Sequence, residues 1–119
     1  MGLALALGAC RAPRFKKLSG GLSHTVLFWF RKDAPRTKID ELERLYREEV
    51  PGQRGVALVL VGRARASDRK VVDSSYDLFT TIVFLDEAAE RRWQSSPLHV
   101  GLRKRFSPFF DHIVVYDAR

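Results

Sequence analysis

Cysteine is almost missing: Cys10 is the only one, so no intramolecular disulfide can form and no cysteine-based zinc site can be assembled. Long apolar runs are missing too. None approaches the roughly 18 residues that would cross a bilayer as a helix, so the folded part is not read as membrane-spanning. There is no Gly-rich phosphate loop, no H-E-x-x-H and no G-x-S-x-G, and no pattern calls for a metal or a cofactor. These absences lower the expectation of an enzyme. What is present, 119 residues with 45% hydrophobic and 11% aromatic content, suits one domain around one core.

Acidic residues are absent from the first 21 positions, where Arg11, Arg14, Lys16 and Lys17 sit, and this tail carries most of the net charge of +7. From residue 22 onward 17 basic residues face 14 acidic ones, with one dense run, Arg103-Lys104-Arg105. Interspersed charge of this kind makes a solvated face rather than a phosphate-binding stripe, so no nucleic-acid partner is expected.

The first ten residues, MGLALALGAC, resemble the end of a bacterial lipoprotein signal, in which a Leu, two small residues and a Cys mark the cleavage point. Here those are Leu7, Gly8, Ala9 and Cys10. No basic segment precedes the apolar run, which is short for a complete signal, so this reading implies a start further upstream. Residues 1–21 then form a truncated signal and a basic tether, Cys10 carries the lipid, and the protein sits at the cell envelope. The alternative is an unprocessed leader with a free thiol on a cytoplasmic protein.

Residues 22–119 read as the domain. His24 to Phe30 is a β-branched and aromatic run expected to be a strand covered on both faces. Thr37, with Asp40 three residues on, reads as the N-cap of a helix that places Ile39, Leu42, Leu45 and Tyr46 inward and stops at Pro51-Gly52. Val56 to Val61 is the second strand, and a polar loop runs from Gly62 to Ser75. Tyr76 to Leu85 is the third strand, with Tyr76, Leu78, Thr80, Ile82 and Phe84 on one face. Asp86 caps a second helix, Glu87 to about Gln94, with Ala88, Ala89 and Trp93 inward. Leu98 to Phe106 adds a short amphipathic turn, and His112 to Tyr116 is the last strand.

The order β-α-β-β-α-β is that of an α+β, ferredoxin-like domain, a four-stranded antiparallel sheet with helices on one face. The uncovered face would carry Thr25, Leu27, Trp29, Phe79, Val83, Val114 and Tyr116, more apolar surface than a small monomer leaves in water. A homodimer with sheets face to face is therefore expected. His112 falls at the rim of that face as a dimer contact.

Several segments together carry a resemblance: His24 to Phe30, Pro51-Gly52, Val72 to Asp77, Phe84, Ser96 to Gly101 and Val114 to Asp117. Over residues 23–117 the chain is similar to the stress-responsive α/β-barrel (Dabb) family, which implies a dimeric α/β barrel built from two ferredoxin-like protomers. The family includes a plant polyketide cyclase that uses a Tyr and a His near the second helix in a cleft between sheet and helices. His99 matches that His, and His24 a first-strand His lining the same cleft. Trp93 stands in place of the Tyr and Leu78 in place of a further pocket His. An indole donates one hydrogen bond but does not transfer a proton at neutral pH, so the implied acid/base pair is incomplete.

Two readings follow. The first is a non-catalytic barrel protein binding a small apolar or aromatic ligand, with His24, Tyr76, Leu78, Trp93 and His99 as cleft residues. The second is a cofactor-free, cyclase-like lyase using His99 with His24. A plainer role stands beside each: His24 tying down backbone at a strand start, and His99 holding the Pro97 turn. An enzyme requires His99 beside a second polar group around an open cavity, and loses if Trp93 and Leu78 fill that space.

Overall fold

The computed structural model describes residues 19–119, so the leader and Cys10, with its expected lipidation, lie outside the described part. Four strands, β1 (Leu22–Phe30), β2 (Val56–Gly62), β3 (Leu78–Phe84) and β4 (Phe110–Ala118), form one antiparallel sheet in the order β2-β3-β1-β4. Three helices, α1 (Thr37–Glu48), α2 (Glu87–Ser95) and α3 (Pro97–Phe106), pack on a single face. The domain is ferredoxin-like, with α3 as an extra helix before the last strand. Among the described residues no helix is long and apolar enough to cross a membrane.

Side-chain alternation decides the faces. His24, Val26 and Phe28 of β1 are buried and lie opposite Ile82, Thr80 and Leu78 of β3, while the intervening residues are half-buried. Helices reach only one face of the first strand, so within the single chain Thr25, Leu27 and Trp29 on the other face stay half-buried. The core is one cluster, drawing Ile39, Leu42 and Tyr46 from α1, Ala89 and Trp93 from α2, and Leu102 and Phe106 from α3. These helices leave the edge strand partly bare: Ile113 and Val115, on the helix side of β4, remain 46% and 44% exposed.

The opposite face carries Leu27, Trp29, Phe79, Val83, Val114 and Tyr116, as the alternation predicts. A register shift between Val56 and Leu58 also brings Leu58 and Leu60 opposite Val83 and Thr81 on this face, where they are 48% and 52% exposed. Its centre is cross-linked by Thr25 and Thr81, whose hydroxyls are 2.7 Å apart.

Three local expectations are corrected. Thr37 is the first residue of α1 rather than its cap; the capping position is Arg36, without a side-chain cap bond, and the backbone N–H of Lys38 and Ile39 donate to Pro35 and Arg36 carbonyls. The turn expected from Leu98 is a ten-residue helix, started by Pro97 and capped by Ser96 Oγ, which accepts from His99 N. β3 begins at Leu78; just before it the Asp77 amide donates to the Phe28 carbonyl at 2.9 Å, and its carboxylate accepts from Phe30 N at 2.7 Å and from Arg36 Nη1 at 2.9 Å.

Candidate functional site

The gap between bare β4 and the helices is a cavity of about 230 Å³. Val26 and Phe28 of β1 with Ile113 and Val115 of β4 form its floor, and Leu42, Tyr46 and Leu102 its helical wall. Four polar side chains reach it: His24, Gln94, His99 and Arg103. A mostly apolar cavity with a few convergent polar groups is the usual form of a small-molecule site.

The register of β1 against β4 sets His24 opposite Asp117, and His24 Nδ1 lies 2.6 Å from Asp117 Oδ1. A carboxylate only accepts, so Nδ1 carries the proton and, in the neutral ring, Nε2 keeps its lone pair. His99 is placed by the start of α3, and its Nδ1 lies 3.1 Å from the carbonyl oxygen of Gln94. The same reasoning protonates Nδ1 and leaves Nε2 as acceptor. Burial holds the His99 imidazole below its ordinary value; the Gln94 carbonyl pulls the other way, and the nearby Arg103 cation adds to the lowering. At neutral pH the His99 ring is an uncharged base.

Tyr46, on the inward side of α1, is buried, and that burial pushes its hydroxyl up to about 12, with Thr80 beside it acting in the opposite direction. It is a proton-bearing phenol at any physiological pH. Among the described residues no group of three or more His, Cys, Asp or Glu side chains could hold a metal ion.

Of the residues singled out from the sequence, the structure brings His24 and His99 to one cavity. Trp93 is buried behind His99, ring centroids 4.9 Å apart, and does not line the space; its Nε1 has no hydrogen-bond partner among the described residues. Leu78 is fully buried in the core and does not line it either. Tyr76 is corrected most sharply. It packs against Trp29 and Phe79 of the uncovered face, because the chain enters β3 only after Asp77. Trp93 and Leu78 thus do not fill the space beside His99. His112 stacks on Trp29 at 4.3 Å, also on the uncovered face.

Sequence reasoning missed Tyr46, Gln94, Arg103 and Asp117. Tyr46 was indistinguishable from a core residue of an amphipathic helix, and Asp117 needed the β1–β4 register. Arg103 had a usable signal: it follows His99 by four residues, hence shares its helix face, once residues 97–106 are taken as a full helix.

The fold and the cavity together define a class, a ferredoxin-like α+β protein with a pocket between its sheet and its helices. Within that class the chain belongs to the Stress responsive A/B Barrel Domain family (Dabb), whose profile matches residues 22–119. Solved structures share the fold. A Dabb family protein with a ferredoxin-like fold from Mesorhizobium loti superposes with a TM-score of 0.65 at 22% identity, over 85% of this chain and 97% of that chain. A dimeric ferredoxin-like protein from Jannaschia gives 0.70 at 21% identity, over 84% and 99%. The hydroxynitrile lyase of Passiflora edulis gives 0.70 at 16% identity, over 83% and 92%. No curated protein matches the chain in sequence.

Proposed function

We propose that this chain is a homodimer, paired through the helix-free face of its sheet, in which each protomer binds a small apolar or aromatic molecule in the cavity between sheet and helices. One observation carries the reading: an open, mostly apolar cavity of about 230 Å³ on which the two imidazoles of His24 and His99 converge. The domain responsible is residues 22–119, and residues 1–21 serve as leader and tether, with a lipid on Cys10 if a longer signal precedes them. Dimeric relatives of the same fold support the pairing. The test uses naphthol, a neutral aromatic probe of suitable size, with the full-length protein. Saturable binding of one naphthol per chain, abolished by Ile113→Trp, which fills the space from its β4 floor, is expected. Binding that never saturates, or that ignores the Ile113→Trp change, sinks the reading.

A second reading is favoured by one detail of the site. Both imidazoles set Nδ1 on an acceptor, and the uncharged His99 ring keeps Nε2 as an acceptor, an arrangement suited to abstracting a proton from a bound carbonyl compound, as a cofactor-free, cyclase-like lyase would. Here His99 is the base and His24 its partner. A His99→Ala variant that turns over every compound the parent does would remove this reading and leave the binding function intact.

A further inference from the structure

Among the described residues that line the cavity there is one permanent cation, Arg103, and no carboxylate. The acids nearest the site are already engaged: Asp117 by His24 Nδ1, and Glu90 by Gln94 Nε2 at 2.8 Å. Arg103 itself forms no ion pair among the described residues, whereas Arg105, two positions on, is paired with Glu41. A structural role at the end of α3 does not single it out, since Lys104 and Arg105 also complement the helix C-terminus. What distinguishes Arg103 is its position: an exposed side chain that is also part of the lining of a mostly apolar cavity.

We infer that the cavity takes an amphipathic monoanion, a small carboxylic acid whose apolar body lies on Val26, Phe28, Ile113 and Val115 and whose carboxylate meets Arg103. This rests on the ligand-binding reading above and narrows it. A planar guanidinium matches a carboxylate through two parallel N–H···O bonds. A single negative charge matches the one permanent cation among the described lining residues, beside which the His99 ring is uncharged at neutral pH. The acceptor Nε2 of His99 suits an acid that carries a hydroxyl or an enol on its body, to which it offers a hydrogen-bond acceptor.

The test is calorimetric titration of the full-length protein with octanoate and with octanamide, which matches it in length and lacks the charge. Octanoate is expected to bind roughly tenfold more tightly, the scale of one charge-assisted hydrogen-bonded contact. Arg103→Lys keeps most of that preference and Arg103→Gln collapses the ratio toward one. Equal binding of the two compounds by the parent, or a preference that survives in Arg103→Gln, overturns the inference while leaving the cavity reading in place. So does failure of both compounds under conditions where naphthol still binds. Failure of all three removes the cavity reading, and this inference with it.

Discussion

Gly55 sits at φ +86°, where an L side chain is strained, and a Cβ built there would lie 2.4 Å from Ala89 Cβ. Its carbonyl also accepts from Leu85 N at 2.9 Å, pinning the entry to β2 beside the end of β3. Gly55→Ala should therefore cost about 2 kcal/mol or more, read as a lower midpoint in urea denaturation, since strain and overlap add. A second residue-level consequence concerns His99. Its folded-state affinity for protons is depressed, so the unfolded chain takes up a proton first as the pH falls through 6.5. More protons bound when unfolded means stability drops on that side, down to the folded value. Thermal midpoints of the parent should fall as the pH is lowered below 6.5, and the fall should be shallower in His99→Gln. Identical slopes would show that the ring is not desolvated as described.

At the scale of elements, the second helix was legible because its signal is local: Asp86 Oδ1 accepts from Ala89 N at 2.8 Å, as expected of a cap. Asp86→Ala is expected to lower stability by about 1 kcal/mol, measured by the same denaturation series. The start of α1 is hidden in the sequence because Thr37 looks like a cap, while the Pro35 and Arg36 carbonyls already satisfy the amides of Lys38 and Ile39. The length of α3 was understated, since Gly101 and three consecutive basic residues blur its periodicity. Site residues followed the same division. His24 and His99 were visible as isolated imidazoles in a recognisable order, whereas Tyr76 was placed by extending the β alternation two residues too far. Asp117 and Arg103 depend on pairings across the sheet and along a helix whose bounds the sequence pattern does not show.

For the whole molecule, fold class was the most legible feature, because alternating strands and two one-sided helices admit few arrangements. The same alternation foretold which sheet face would be left bare, and the register adds Leu58 and Leu60 to it. With Tyr116 63% exposed on this face and Leu27, Trp29 and Phe79 beside it, the surface resembles half of a core. A specific dimer buries roughly 800 Å² per partner, and a four-stranded face is of suitable size to supply it. The Trp29 and His112 stack, with Tyr76 against the indole, then becomes interior to the assembly rather than a ligand site. Such pairing would leave the cavity, which lies on the helix side of the sheet, accessible. The most direct measurement is light scattering of the full-length protein at micromolar concentration. A mass twice the 13.6 kDa of the chain is predicted; a soluble, monodisperse species of 13.6 kDa would contradict the account.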